Sequence, residues 1–366
     1  MVDTRNEFQP DYIVSPGEIL EEVLESRNIK KNEFAERCGR SPKAISQIIA
    51  GIAPITPELA IRFHRVLGSS PALWNNLEAN YRLQVARKAE QEELQKRVEW
   101  AKEFPVNELV KRGFFNKPKS DTDLVAKTLD FFGVGSVAAW EEVHARASLS
   151  FRRSPSFESD PKALAAWLRI GKIKAEQIET EPYDQDKFLC ALDAIRATTE
   201  NGPDIFEPVI KDECAKAGVA VIFEPEFKKI SLSGITRWLN KEKALIMMSL
   251  RHKSDGHFWF TFFHETAHVL LHSKKGILID GIEAGSQDDE REDEANRFAA
   301  NFLIPPSGYL KFRNTGVFTK PNIKRFARTI GIAPGVVVGR LQRDGMIKYS
   351  WHNDLKRRFE FVEHAN

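Results

Sequence analysis

Cysteine is scarce, with only Cys38, Cys190 and Cys214 in a chain of 366 residues. They are far apart and odd in number, which excludes a disulfide framework, and none belongs to a paired metal-binding motif. Long apolar runs are missing as well. No stretch approaches a membrane span, and the first residues carry Asp and Glu where a secretory signal would be apolar. A charge excess of either sign is also lacking: 54 Lys and Arg stand against 52 Asp and Glu, a net +2. The expectation is a cytoplasmic protein with no membrane segment. It also lacks the strongly basic surface that binds nucleic acid by charge alone. The length accommodates about two to four domains, each with its own core.

What is present carries chemistry. His264-Glu265-Thr266-Ala267-His268 places two imidazoles four residues apart, on one face of a helix, where both reach a single Zn²⁺. The carboxylate between them is rotated toward the attacking water, which is the layout of a zinc hydrolase with Glu265 as general base. The flanks, Phe258-Trp259-Phe260, Phe262-Phe263 and Val269-Leu270-Leu271, make the helix apolar nearly all round and hence buried. Buried histidines need partners, and a zinc ion is the simplest one.

A third ligand must come from elsewhere. His272 lies eight residues past His264, about 12 Å along the helix axis, too far to share the ion. The acidic run Glu292-Asp293-Glu294-Ala295-Asn296 lies on a predicted helix over about 288–303. Glu292 and Asn296 share a face of that helix, so Glu292 would bind the metal and Asn296 would hydrogen-bond a ligand imidazole from behind. Glu294 is the alternative ligand. Three protein ligands leave a fourth position open, as in a catalytic site. For the oxyanion of the reaction, His257 and Arg251 are weak candidates.

The N-terminal region reads differently. Ala35 lets two helices cross closely, Gly39 makes the tight turn, Ser41 caps and Pro42 opens the next helix, and Ile45, Ile48 and Ile49 give it a buried stripe. This is a helix-turn-helix pattern, whose second helix enters the major groove of double-stranded DNA. Lys43, Ala44, Ser46 and Gln47 then face the groove, Gln47 able to pair with an adenine edge, while Arg40 and Ser41 reach phosphates. With so little net charge, operator affinity rests on base contacts and on a homodimer.

The spacing divides the chain into 1–100, the helix-turn-helix unit with a charged helical linker; 101–200, a helical middle region without a chemical motif; 201–312, the zinc domain; and 313–366, a helical tail. Strands are predicted at Val219–Phe223, Ile230–Ile235 and Ala244–Leu250, a small sheet beside the zinc helix that could hold an extended peptide as an added strand. The tail repeats the earlier spacing as Ala327, Gly331 and Val337. With Lys324, Arg325, Arg328, Arg340 and Arg343 nearby, it reads equally as a second DNA-touching helix-turn-helix or as a helical cap on the zinc domain.

Two resemblances sharpen this reading. Pro16-Gly17-Glu18-Ile19-Leu20, Ile55-Thr56-Pro57-Glu58-Leu59-Ala60, Leu73-Trp74 and Leu77 resemble the HigA-type antitoxins of the Xre helix-turn-helix group. Residues from about 217 to 345 resemble the ImmA/IrrE metallopeptidases, through 258–268, 292–300, Leu303-Ile304-Pro305 and Val336-Val337-Val338-Gly339-Arg340-Leu341-Gln342. With the helical middle region and the helix-turn-helix-like tail read from the spacing, they imply a mainly α, multidomain chain with an N-terminal Xre-type bundle and an α+β zincin-like metallopeptidase domain. They also imply a dimeric operator-binding regulator that cleaves a repressor-like protein, with His264, His268 and Glu292 on zinc and Glu265 as base. The alternative is an antitoxin or repressor that holds a cognate toxin, its zinc domain serving as sensor or scaffold.

Overall fold

A Ser or Thr followed by Pro sets four of the five helix starts of the first unit: the hydroxyl accepts an orphan backbone N–H, and proline pre-forms the first turn. The computed structural model describes residues 14–143, 159–272 and 288–362, so the Asp/Glu-bearing N-terminal stretch 1–13 lies outside the described residues. Two compact units emerge, Met1–Val98 and Glu99–Asn366. The finer boundaries expected at 200 and 312 fall inside the second. No described helix is long and apolar enough to cross a membrane.

The first unit is a bundle of α1 (Pro16–Ser26), α2 (Lys31–Arg37), α3 (Pro42–Ile49), α4 (Pro57–Leu67) and the long α5 (Pro71–Gln95). Ser15 and Glu18 form a reciprocal capping box at the head of α1, and Ser41, Thr56 and Ser70 cap α3, α4 and α5. Phe34, Phe63 and Trp74 pack at the centre, Phe63 tilted against Phe34 at 5.0 Å and edge to face with Trp74 at 5.5 Å. Beyond Trp74, no residue of α5 is buried, as its alternating charges lead one to expect.

The second unit is built around a three-stranded sheet of order β1-β3-β2. β1 (Val219–Phe223) runs parallel to β3 (Ala244–Met248), and β2 (Gly234–Trp238) runs antiparallel to it. The central strand is buried at every position. Two expected strands are corrected. β2 begins at Gly234 rather than Ile230, because Lys229 takes a left-handed φ of 74° that turns the chain, leaving Ile230 as a buried anchor of the preceding loop. β3 ends at Met248, though the Ser249 amide still donates to Ser233 O at 2.9 Å.

The helical middle region walls this sheet. α6 (Val98–Lys102), α7 (Val106–Lys111), α8 (Asp121–Phe132), α9 (Pro161–Glu176), α10 (Gln185–Ala197) and α11 (Pro203–Lys216) lead into β1. Trp167 is fully buried and donates its indole N–H to Pro225 O at 3.1 Å. The Glu224 carboxylate, 3% exposed, is paired with Arg112 at 2.7 Å and with Lys174. A buried carboxylate with two cations and good geometry is tolerated where a lone one would not be.

Behind the sheet lie α12 (Asp255–Leu271), α13 (Asp288–Leu303), α14 (Pro306–Asn314), α15 (Lys320–Ile330) and α16 (Pro334–Arg343). α15 and α16 adopt the helix-turn-helix spacing read from the tail: Ala327 and Val337 are fully buried and Gly331 turns at φ 67°. The ambiguity over its use resolves toward packing. Gly335, Val336, Val338 and Gly339 occupy the positions that Lys43, Ala44, Ser46 and Gln47 hold in the first unit, and the first three are buried. The head of α16 crosses α12 so closely that a Cβ on Gly256 would lie 2.8 Å from Gly335 O. The helix that would read DNA is thus spent on holding α12.

Candidate functional site

Two helices carry the site. α12 is buried nearly all round, through Phe258, Trp259, Phe262, Phe263, Ala267 and Val269, which fixes its rotation and presents His264 and His268 on the remaining face. α13 lies against it through fully buried Ala295 and Ala299 and through the Phe302 ring stacked 5.1 Å from that of Phe263. Small residues at 295 and 299 let the helices approach, and one turn of α13 then aims Glu292 at the two imidazoles.

The donor atoms converge. His264 Nε2 lies 3.2 Å and His268 Nε2 3.4 Å from the two oxygens of Glu292, and the imidazole nitrogens are 3.0 Å apart. One atom from each of the three residues falls within 4.8 Å of the others. His264 Nδ1 faces Asn296 Oδ1 at 3.2 Å, an acceptor that holds a ring proton on Nδ1 and frees Nε2 for an ion when one is bound. Lone pairs turned toward one another repel unless a proton or a metal ion lies between them, and this donor set fits a metal ion. Glu294 does not join the three. Two residues further round α13, it accepts from His272 at 3.3 Å instead.

Electrostatics around the cluster follow from burial and mutual charge. Burial alone would lower the His264 pKa, but its hydrogen bond to Glu292 and the charges of Glu265 and Glu292 leave it raised. Burial and the neighbouring His264 push His268 down to about 4. The His264 hydrogen bond, against the effect of burial, holds the Glu292 carboxyl below its usual range. Glu265 is 6% exposed, and burial raises it to about 7 against the pull of His264 and Thr236.

Sequence reasoning missed what holds Glu265. Thr236 on β2 places its hydroxyl 2.8 Å from Glu265 Oε2 and 2.9 Å from the Glu265 carbonyl. Gly234 on the same strand lies so near that a Cβ there would be 2.8 Å from Glu265 Cγ and Oε1 and 2.9 Å from Thr261 Cγ2. The glycine inside a strand pattern was the available signal, since it marks a close approach; Thr236 left none. The oxyanion candidates stay apart from the cluster. Arg251 donates to Ser231 O at 2.6 Å. His257 packs 3.9 Å from the His252 ring and sits two turns before His264, about 10 Å along the axis.

In the first unit, Arg40, Ser41, Lys43, Ser46 and Gln47 are exposed and Ala44 half-buried, while Ile45, Ile48 and Ile49 face the core. Ser41 accepts the Ala44 amide at 3.2 Å and Ser46 donates back to Pro42 O at 3.0 Å, so both hydroxyls are partly committed to the helix itself. The turn is braced from α4, where Arg62 donates to Cys38 O at 2.7 Å and Gly39 O at 3.1 Å. Gly39, at φ 60°, is where a side chain would be strained.

Comparison with known proteins divides the chain along the same lines. Residues 20–74 match the family model described as helix-turn-helix (HTH_3), and residues 214–342 match the model described as IrrE N-terminal-like domain (Peptidase_M78). Among curated relatives, the uncharacterized HTH-type transcriptional regulator YddM of Escherichia coli (strain K12) is 40% identical over 73 residues, 20% of this chain and 78% of that protein. Among solved structures, a putative antidote protein of a plasmid maintenance system from Nostoc punctiforme is 35% identical over 23% of this chain and 91% of that one, with a TM-score of 0.22. An addiction module antidote protein of a HigA family from Coxiella burnetii is 28% identical over 23% and 92%, with a TM-score of 0.21. The chain belongs to the HTH-type DNA-binding transcriptional regulators, and its second unit carries an IrrE-like domain of the Peptidase_M78 family.

Proposed function

We propose that this regulator is also a zinc-dependent endopeptidase that cleaves a repressor-like partner protein. The observation that carries the reading is the convergence of His264, His268 and Glu292 beside the buried carboxylate of Glu265. His264, His268 and Glu292 would hold the ion, which when bound polarises a carbonyl and acidifies water. Glu265 takes the proton of the attacking water and hands it to the leaving amine, and Thr236 keeps the carboxylate turned toward that water. A peptide substrate is favoured over a small one. β2 is an edge strand that pairs only with β3 among the described residues, and it runs past Glu265, where an extended chain can add. On this reading the protein works in the cytoplasm, and it binds a two-fold operator as a homodimer.

Activity is tested by incubating the full chain, loaded with zinc, with the protein products of its neighbouring genes and following cleavage of a repressor-like one by mass spectrometry. Intact repressor together with a tightly held toxin from the same operon would favour the antitoxin role instead. Gly234→Ala gives a sharper check. The added Cβ pushes on the Glu265 side chain, and misplacing a catalytic group by about 1 Å costs on the order of 100-fold in turnover. Zinc content should be unchanged, since no ligand residue is touched. Turnover equal to wild type would mean that Glu265 does not need its place beside β2.

For the DNA-binding unit we propose Gln47, Lys43 and Ser46 as groove-facing residues, with Arg40 on phosphate. Gln47→Ala should weaken operator binding by about 1–3 kcal/mol and relax specificity at one base pair. Lys43→Ala should lower affinity for all sequences more evenly and flatten the salt dependence. Mobility shifts at several salt concentrations separate the two outcomes. Equal loss on operator and random DNA for Gln47→Ala would remove it from base reading.

A further inference from the structure

His272, too far along α12 to share an ion with His264, has a different partner. Its backbone leaves the helix as the C-cap, with φ −101° and ψ 141°, and its ring turns back along α12. His272 Nδ1 lies 2.8 Å from His268 Nδ1, and His272 Nε2 lies 3.3 Å from Glu294 Oε2. The side chain of His272 is 11% exposed, whereas Glu294 at the far end is 51% exposed.

Only one arrangement of protons satisfies every atom in this row while His268 serves the cluster. His268 Nε2 faces His264 and Glu292 and must carry a lone pair there, so its proton sits on Nδ1 and is donated to His272 Nδ1. That nitrogen accepts, so the His272 proton sits on Nε2 and is donated to the Glu294 carboxylate. Each imidazole then has one donor and one acceptor in use, and the row ends on a negative charge. Asn296 does the same for His264 with a single amide oxygen.

We infer that His272 and Glu294 form a positioning relay that fixes the tautomer and ring orientation of His268 and thereby sets the affinity of the site for its metal ion. The proposal rests on the metal reading of His264, His268 and Glu292. It gives the second glutamate of the acidic run a role that ligation does not supply. Removing the group behind a ligand histidine weakens metal binding by about 10–100-fold.

The test uses the full chain and Zn²⁺ in competition with a chromophoric chelator. His272→Leu fills the same space without an acceptor and should weaken zinc by about 10–100-fold. His272→Asn places Oδ1 where Nδ1 lies, accepts the His268 proton, and should stay near the wild-type affinity. Glu294→Ala should shift affinity in the same direction as His272→Leu. Unfolding of the metal-free variants by circular dichroism provides the folding control. Wild-type affinity in His272→Leu, or equal loss in the Leu and Asn variants, would overturn the relay, the second outcome marking a packing role. Zinc that fails to bind even the wild-type chain would instead overturn the metal site, and the relay with it.

Discussion

Glu265→Gln is expected to lower cleavage of the partner protein by about 10²–10⁴-fold while the chain keeps one zinc ion. The substitution changes the chemistry and almost nothing else. Gln has the same shape, and its amide oxygen can still accept from Thr236 Oγ1, now 2.8 Å from Glu265 Oε2. None of the three converging donor atoms belongs to residue 265. Burial that disfavours the carboxylate does not disfavour an amide to the same degree, so the folded unit should be no less stable. Elemental analysis of the purified variant, alongside mass spectrometry of the incubated partner, reads both quantities from one preparation. Loss of zinc with loss of activity would make residue 265 part of the metal's grip. Retained cleavage would assign the proton transfer to another group.

The parts of this site that were legible in the sequence are those governed by helix periodicity. His264 and His268 face the same way because they are four apart, and the helix carrying them had to be buried because its other faces are aromatic. The choice between Glu292 and Glu294 rests on the same geometry. Two residues apart on a helix are about 200° apart in direction, so one carboxylate meets the imidazoles and the other meets His272. What sequence left hidden depends on how a strand lies against a helix. Thr236 and Gly234 precede Glu265 by about thirty positions, and only the antiparallel register of β2 on β3 brings them to it. The sequence pattern starts this strand four residues early, because apolar Ile230 and Leu232 mimic alternation while Lys229 bends the backbone.

The two helix-turn-helix spacings make the same point. Ala35, Gly39 and Ile45 match Ala327, Gly331 and Val337 in interval, yet one motif offers its second helix to solvent and the other buries it. The distinction was written at the positions between. Lys43, Ser46 and Gln47 are polar groups that need water or a base edge, whereas Gly335, Val336 and Val338 are small or apolar and need a neighbour. Spacing gives the motif; the chemistry of the outward positions gives its use.

Gly17→Ala should lower the melting point of the DNA-binding unit and leave the second unit working. Gly17 is buried in α1 against the end of α3. A Cβ there would press into the carbonyl oxygens of Ile48 and Ile49 and lie 2.7 Å from Ile49 Cα. These are backbone atoms, which cannot swing aside as the tip of a side chain can. Relief comes only by moving α1 off α3, which opens the core around Leu20 and Ile45, both fully buried. Overpacking of this kind costs about 3 kcal/mol, against about 1 kcal/mol that Ala returns through its better helix propensity. A net loss of about 2 kcal/mol lowers the melting point of a unit this size by roughly 8–16 °C. Calorimetry of the full chain should therefore show the transition of Met1–Val98 moving down while that of Glu99–Asn366 stays in place. Operator binding should fall near the new melting point, and zinc content and cleavage should not change. A Gly17→Ala chain that melts and binds its operator as wild type would mean that α1 and α3 do not cross at this glycine; the bundle that aims Lys43 and Gln47 outward would then need a different arrangement.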